Sequence, residues 1–261
     1  MFETLITQDE VNSRVYHSHG ISGAYRGKLL EPAEAMALLT YCTGFTGRNV
    51  LDVGVGTGRT ASYLSPLARR YVCIDYSAEM VEYIRATLPG TEVHLADMRD
   101  LTAWDAAAFD FILATNNVLD AVSHDGRLKT LGEAHRVLST DGLLLFSSHN
   151  RRYRMAQSGP SLEYSRNPAS QAIHLVKYAQ RLVNYLRIRG QRRFEEEYAI
   201  LNDIGHDYRL LHYYIDRDVQ LRQLAAAGFR LLDVFDSEGR RLRSGDDDTS
   251  SPSLMYVAAR A

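Results

Sequence analysis

The sequence predicts an α/β fold: a mostly parallel sheet of seven strands with helices on both faces and a cap inserted after the fifth strand. Three observations support this prediction. From Asn49 onward, short apolar runs alternate with helical patterns at the spacing of right-handed βαβ units. The first run leads into a glycine-rich turn. The alternation stops after Asn150 and resumes near residue 215.

The strands and helices in the first half of the core are predicted from apolar runs and from the residues that separate them. Residues 1–30 are polar with several glycines and are expected to be a mobile arm, and Pro32 suits the first turn of a helix over 31–42. Buried parallel strands appear as near-continuous apolar runs. Strands are therefore expected at 49–54, 71–75, 91–97 and 109–116, with helices at 58–69, 78–88 and 126–139.

The elements in the second half of the chain are predicted in the same way. Asp141-Gly142 is a turn signal that ends a helix before the fifth strand at 143–150. The cap is expected to hold a helix over 170–189 and extended segments at 193–202 and 207–214. A helix at 216–229 and strands at 230–236 and 253–260 complete the core. The expected domain organisation is an N-terminal arm and helix (1–47), a cofactor-binding core (48–150), the cap (151–214) and the rest of the sheet (215–261).

Composition narrows the class of protein. The net charge of −2 gives no general attraction to nucleic acid or anionic membranes. Cys42 and Cys73 form no CxxC pair or Cys/His cluster, which argues against a structural zinc site or a disulfide framework. No secretory signal and no apolar run long enough to span a bilayer is present. We therefore expect a cytoplasmic protein without a metal or a membrane partner.

The turn after the first strand carries the most specific motif. Asp52, Gly54, Gly56 and Gly58 form DxGxGxG between a strand and a helix. Glycines there admit a ligand close to the backbone, and the helix start offers free N–H groups. A dinucleotide fingerprint would need glycine at 59, where Arg59 stands, so the residues alone leave another nucleotide-like ligand open.

The motif resembles the first motif of class I, Rossmann-like methyltransferases, which use S-adenosyl-L-methionine. The similarity extends over residues 48–150, including the helix–turn–strand segment RVLSTDGLLLFSSHN, and over 213–261 in pattern only. It implies an antiparallel last strand and a cofactor held at the carboxyl ends of the strands.

The resemblance also implies cofactor-binding residues beyond the glycine turn. Asp75, at the end of the second strand, is placed to accept hydrogen bonds from the ribose hydroxyls. Further cofactor contacts are expected from Tyr76 and Met80 beside the adenine, Asp97 and Met98 at its edge, Asn116 at the end of the fourth strand, and Tyr16 and Tyr25 closing over the ligand. Arg26 is a candidate partner of the cofactor carboxylate.

Candidate catalytic residues lie where the fourth and fifth strands end. His149 could act as a general base, since histidine titrates near neutrality, or could only bond backbone as the strand leaves the core. Asn117 could orient the acceptor or shape the turn. Tyr213 is expected to line a substrate pocket, with a core position as the alternative.

The cap is basic. Between residues 151 and 193 ten Lys or Arg face one acid, Glu163, and Leu175, Ala179, Leu182 and Leu186 form an apolar stripe expected to pack on the sheet. The charge indicates either an anionic substrate or a solvated helix balanced by the acidic runs at 195–197 and 246–248.

These observations favour methyl transfer to an O or N atom of a small metabolite, with an anionic metabolite as one alternative. Transfer to RNA or to a carrier protein and a non-catalytic S-adenosylmethionine-binding module remain open. Nucleic acid is the less favoured partner because aromatic platforms and basic tracts are not evident.

Overall fold

The computed structural model describes residues 7–17 and 29–261, and its backbone is organised around one sheet. The core strands are β1 (Asn49–Val53), β2 (Arg70–Asp75), β3 (Glu92–Leu95), β4 (Phe109–Ala114), β5 (Leu138–Asn150), β9 (Phe229–Phe235) and β10 (Ser253–Arg260). Three short strands belong to the cap: β6 (Arg193–Phe194), β7 (Tyr198–Leu201) and β8 (His212–Ile215).

The strand order confirms the predicted fold class. Strands β3, β2, β1, β4 and β5 pair in parallel in that order. Strand β10 pairs antiparallel with β5 and with β9. The last strand of the core sheet is therefore antiparallel, as expected.

Seven α-helices accompany the strands within the described residues. They are α1 (Gln8–Tyr16), α2 (Pro32–Thr40), α3 (Ala61–Leu64), α4 (Ala78–Thr87), α5 (His124–Val137), α6 (Pro168–Ile188) and α7 (Arg217–Ala226).

The sheet is covered on both faces by apolar side chains. Alternate residues of β1 enter different clusters: Leu51 and Val53 join one, and Val50 joins the other. This alternation follows from the two-residue period of a strand. Burial on both faces explains why the core strands appear in the sequence as continuous apolar runs.

Helix α1 lies within the segment expected to be a mobile arm, so that expectation is wrong for Gln8–Tyr16. Thr7 and Glu10 form a capping box that fixes the helix start. The side chain of Asn12 bonds both backbone groups of Leu211, and that of Gln8 donates to the Leu211 carbonyl at 2.9 Å. These long-range bonds hold α1 on the cap.

Two other local predictions differ from the structure. Helix α3 spans only Ala61–Leu64, whereas 58–69 was expected; Pro66 has no N–H to continue the hydrogen-bond ladder. Strand β5 begins at Leu138, directly after α5. Its pairing with β4 skips from Leu138 to Leu143, so the Asp141-Gly142 signal marks an irregularity inside β5.

The cap joins the core sheet through β8. Strand β4 pairs with β5 only as far as Phe146. Beyond that point His149 and Asn150 pair in parallel with Tyr214 and Ile215 of β8. Since β10 holds the other edge of β5, β8 occupies the edge that β4 has left.

Helix α6 contradicts the expected packing of the cap. Its one buried residue, Ile188, packs in a cluster with Ile200 and Leu211 of the cap. Leu175 and Leu186, expected to pack on the sheet, are 49% and 53% exposed. Of the predicted stripe, Leu175, Ala179 and Leu186 therefore point outward, and Leu182 is half-buried.

Candidate active site

A cavity opens at the carboxyl ends of β1, β2, β3 and β4. It contains many of the residues predicted to bind a cofactor. Those that line it are Tyr16, Gly54, Gly56, Asp75, Tyr76, Met80, Asp97, Met98 and Asn116. Tyr25 and Arg26 lie outside the described residues. Asp52, Gly58, Asn117, His149 and Tyr213 do not line it.

Asp75 fixes the glycine turn against β2. Its Oδ2 accepts a hydrogen bond from Gly56 N and its Oδ1 one from Ser77 N, both at 2.9 Å. Burial raises the pKa of this carboxyl, and the backbone donors oppose that shift only in part. Each carboxylate oxygen has a second lone pair, so Asp75 can still accept from ligand hydroxyls.

Two glycines of the turn have different structural roles. Gly56 lines the cavity with φ of +56°, and a Cβ there would meet little but open space. At Gly58, φ is +81° and a Cβ would lie 2.8 Å from Ile84 of α4 and from Leu88, directly after that helix. Gly56 therefore leaves room for a ligand, whereas Gly58 lets α4 pack against the turn.

Asp52 is buried beneath the turn. Its carboxylate accepts hydrogen bonds from the hydroxyls of Thr60 and Tyr71. Burial raises the pKa of Asp52 to about 6, despite these two donors. Asp52 thus ties the start of α3 to β2, a structural role in place of the predicted ligand contact.

Arg59 lines the cavity. From the sequence, Arg59 served only to exclude the dinucleotide fingerprint, and its position in the site was not predicted. Both of its terminal nitrogens bond the carboxylate of Glu34 on α2, which is buried. One of them also donates to Thr115 Oγ1 at 3.3 Å, at the end of β4. This bidentate pair connects α2, the glycine turn and β4.

Helix α1 closes one side of the cavity. Asp9 bonds Arg99 Nη1 at 2.9 Å and the backbone N–H of Ser123 at 2.7 Å. Arg99 in turn donates to both carboxylate oxygens of Asp97. The Tyr16 ring lies edge-on to Tyr76, with centroids 5.6 Å apart.

His149 is held by a buried carboxylate. Asp120, in the 3₁₀ helix Val118–Ala121, accepts from the backbone N–H of His149 at 2.6 Å and from its Nδ1 at 2.7 Å. Burial alone would raise the pKa of Asp120, but Arg127 and His149 bring the net shift downward. Because a carboxylate only accepts, Nδ1 carries a proton, and the lone pair of Nε2 is left to accept from Asn117.

Asn117 joins His149 to the cavity. It follows the cavity-lining Asn116 and donates its Nδ2 to His149 Nε2 at 3.2 Å. Both asparagines have positive φ, the left-handed conformation that asparagine tolerates better than most residues. Asn117 Oδ1 is buried without a hydrogen-bond partner.

A second acid–imidazole pair stands beside His149. Asp203 accepts from His212 Nδ1 at 2.8 Å, Tyr214 OH at 2.7 Å and Gly205 N at 2.8 Å. The ring of His149 stacks on those of His212 and Tyr214, with centroids 4.9 and 4.8 Å away.

The charges of this second pair stabilise each other. Burial raises the pKa of Asp203, but His212, His149 and Tyr214 together outweigh burial and lower the pKa overall. Burial lowers the pKa of His212, and the attraction of Asp203 outweighs that and raises it. By spacing alone, His149, Asp203 and His212 could hold a metal ion, with ligand atoms within 4.8 Å. The protein's own donors already satisfy the Asp203 carboxylate.

Tyr213 is fully buried, so it does not take the predicted place in a substrate pocket. Its hydroxyl bonds His124 Nδ1 at 2.9 Å, and its ring stacks on Tyr198. Arg127 lies over the same ring, 4.8 Å from the centroid. Tyr213 therefore occupies a core position, which was the alternative to the predicted pocket.

The basic cap is partly neutralised by the acidic run at 246–248. Arg152 lies 3.6 Å from Asp248, and Arg154 lies 3.6 Å from Asp247. The Lys and Arg residues of the cap do not line the described cavity.

This sheet order, with a ligand cavity over a glycine turn and an acid at the tip of β2, defines the class I, Rossmann-like methyltransferase fold. Comparison with known proteins identifies the domain. Residues 50–142 match the family described as "Methyltransferase domain". The chain therefore carries a class I methyltransferase domain, and its cofactor is S-adenosyl-L-methionine.

Relatives in sequence fit this identification. A probable S-adenosylmethionine-dependent methyltransferase of Mycobacterium tuberculosis is 31% identical over 106 residues, covering 41% of this chain and only 37% of its own length. A malonyl-[acyl-carrier protein] O-methyltransferase of Geobacter sulfurreducens is 26% identical, covering 90% of this chain and 75% of its own.

Solved structures share the fold at low identity. The 1,6-didemethyltoxoflavin N1-methyltransferase of Burkholderia thailandensis, solved with S-adenosylhomocysteine, has a TM-score of 0.61 and 16% identity, covering 100% of this chain and 93% of its own. A Streptomyces caelestis methyltransferase has a TM-score of 0.62 and 19% identity, with 95% and 98% covered. None of the described helices of this chain is long and apolar enough to cross a membrane.

Proposed function

We propose that this protein transfers the methyl group of S-adenosylmethionine to an oxygen or nitrogen atom of a small molecule. One observation carries the proposal. The cofactor cavity ends at Asn116, and the side chain of the next residue, Asn117, donates to Nε2 of His149. A polar acceptor site thus adjoins the expected methionine end of the cofactor.

In the proposed reaction the acceptor atom attacks the methyl carbon in line with sulfur. A carbon–oxygen or carbon–nitrogen bond forms, the carbon–sulfur bond breaks, and S-adenosylhomocysteine leaves. Alignment of the two reactants supplies much of the rate. A hydroxyl acceptor also loses a proton, which His149 Nε2 takes once the acceptor hydroxyl replaces Asn117 Nδ2 as the donor to that nitrogen, while Asp120 stabilises the resulting imidazolium.

Asn117 is suited to bind the acceptor through a hydrogen bond. Its Oδ1 is buried without a partner, and a buried carbonyl oxygen normally accepts a hydrogen bond. A hydroxyl or N–H of the acceptor would satisfy it. The basic side chains of the cap do not line this cavity, and we therefore propose no particular charge for the acceptor.

The test has two stages. Calorimetric titration with S-adenosylhomocysteine and with NAD should give binding of the first alone. Purified protein, S-adenosylmethionine and panels of phenols, hydroxy acids and amines are then assayed for release of S-adenosylhomocysteine. Tight binding of S-adenosylhomocysteine without turnover of any small acceptor would favour a binding module or a macromolecular acceptor.

A second candidate is O-methylation of a carboxyl group on an acyl carrier protein. It is favoured by the Geobacter sulfurreducens relative, whose similarity extends over 90% of this chain. The assay is repeated with malonyl-loaded carrier protein and with the same acid on a short thioester. Turnover of the carrier-bound acid alone would support this candidate against the small-molecule proposal.

A further inference from the structure

The turn between β7 and β8 has an unusual backbone. Three consecutive residues, His206, Asp207 and Tyr208, have positive φ angles of 49°, 56° and 64°. No longer run of such residues without glycine occurs in the described parts of the chain. Residues other than glycine adopt this left-handed conformation singly and not in runs. The turn is therefore strained, and strain of this kind persists only where the surrounding contacts impose it.

Helix α6 supplies contacts that hold the turn in this conformation. Asp207 Oδ1 accepts a hydrogen bond from Arg181 Nε, and the Asp207 carbonyl accepts one from Asn184 Nδ2, both at 2.9 Å. Tyr208 is buried, and its ring lies edge-on to that of Tyr185, with centroids 5.6 Å apart. Two of the three left-handed residues are thus fixed to α6.

The remaining residue of the run, His206, contacts α1. Its ring lies edge-on to that of Tyr16, with centroids 5.6 Å apart. Tyr16 lines the cofactor cavity and lies edge-on to Tyr76, which also lines it. His206 itself does not line the cavity. A row of three rings therefore extends from the cap to the wall of the cofactor cavity.

We propose that His206 is a positioning residue for the cofactor: held by the strained turn, its ring keeps Tyr16 against Tyr76 and so couples the cap to cofactor binding. His206 acts through Tyr16 and does not touch the ligand. The backbone conformation of the turn sets the direction of the His206 side chain. The proposal concerns the cofactor alone and is independent of which acceptor is methylated.

The other contacts of α1 with the cap explain why this ring matters. Gln8 and Asn12, in the first half of the helix, bond Leu211. Tyr16 is the last residue of the helix. The contact with His206 is therefore placed to fix the end of α1 that carries Tyr16, beyond the reach of the bonds to Leu211.

Coupling between two places in a protein is reciprocal, so cofactor binding should in turn stabilise the turn. Hydrogen exchange of the wild-type protein measures this effect. Saturating S-adenosylhomocysteine should slow the exchange of backbone amides at 205–209 and in α6 between Arg181 and Tyr185, although none of these residues lines the cavity. Helix α7, which packs on β9, is the control segment and should keep its exchange rates.

The role of the ring is tested by two substitutions at one position. His206→Asn removes the ring but keeps a residue that tolerates the left-handed conformation. Its dissociation constant for S-adenosylhomocysteine, measured by calorimetry, should rise about 2- to 10-fold, the scale of one aromatic pair. His206→Phe returns a ring and should restore the affinity. The matched control is His174→Asn, at a second histidine of the cap whose ring bonds the Glu163 carbonyl; its affinity should stay unchanged.

Unchanged exchange at 205–209 in the wild type on binding of S-adenosylhomocysteine would overturn the proposal, as would an equal slowing in α7. Wild-type affinity in His206→Asn, or no recovery in His206→Phe, would also overturn it. The exchange measurement needs no substitution, so it decides the question even where a variant does not fold.

Discussion

Asp120 Oδ2 accepts two hydrogen bonds from His149, one from the backbone N–H at 2.6 Å and one from ring Nδ1 at 2.7 Å. The carboxylate thereby fixes both the strand end and the tautomer of the ring. Nε2 is left as an acceptor beside Asn117. This geometry supports the proposed role of His149 in handling the proton of a methyl acceptor.

His149→Gln should lower turnover while leaving cofactor affinity unchanged, because His149 does not line the cofactor cavity. With a hydroxyl acceptor we expect a loss of roughly 10²- to 10⁴-fold, the scale of general base catalysis. With a neutral amine the loss should be small, since no proton has to leave first. His174→Gln on α6 is the control. Equal losses of turnover and of S-adenosylhomocysteine binding would indicate a structural role for His149.

Asp75→Ala should weaken binding of S-adenosylhomocysteine by roughly 1–3 kcal/mol, because ribose hydroxyls and the Gly56 N–H lose a charged acceptor. Titration calorimetry measures the change. Asp110→Ala is a control remote from the cavity lining, and it should leave the affinity intact. An Asp75→Ala protein that binds as tightly as the wild type would show that the ribose assignment is wrong.

Arg59→Ala should lower the free energy of unfolding by about 3–5 kcal/mol, because it leaves the buried Glu34 carboxylate without its partner. Arg70→Ala removes one partner of an exposed pair with Glu92 and should cost about 0–1 kcal/mol. Urea unfolding of the two variants gives the comparison. Similar losses would mean that burial does not strengthen the Arg59–Glu34 pair.

Asp52 makes stability depend on pH in a particular direction. The pKa of Asp52 in the folded protein, about 6, lies above the unfolded value of 3.8. The contribution of this raised pKa to the free energy of unfolding is therefore complete below pH 3.8 and is lost as the pH rises through 6. Asp52→Asn abolishes this dependence. The unfolding free energy of Asp52→Asn minus that of the wild type should therefore increase by roughly 1–3 kcal/mol between pH 4 and pH 7. A constant difference over this range would contradict the raised pKa.

The core of the fold is predictable because each strand is buried on both faces and each turn carries its own signal. The run from Asn49 to Val53 and the glycines after it specify a strand and a turn locally. Helix α1 had a local signal too, the Thr7-to-Glu10 capping box, which its polar surroundings obscured. The outward stripe of α6 could not be placed, because periodicity shows that a helix has an apolar face but not what covers it.

The candidate site was predictable only in part for a similar reason. Asp75 and Asn116 follow strands whose ends meet at one edge of the sheet, so position along the chain is enough to find them. Asp203 and His212 reach His149 only through the pairing of β8 with β5. That pairing depends on β4 ending early. Histidine on β5 and acid in the cap give no local sign of their proximity.

The junction of β8 with the end of β5 also limits how substrate choice can change in such proteins. A cap attached only by flexible linkers could be exchanged freely. Here two residue pairs, His149 with Tyr214 and Asn150 with Ile215, connect the cap to β5. A chimera that imports a foreign cap must therefore reproduce this register, or the ring of His149, which we propose contacts the acceptor, will be misaligned together with the graft.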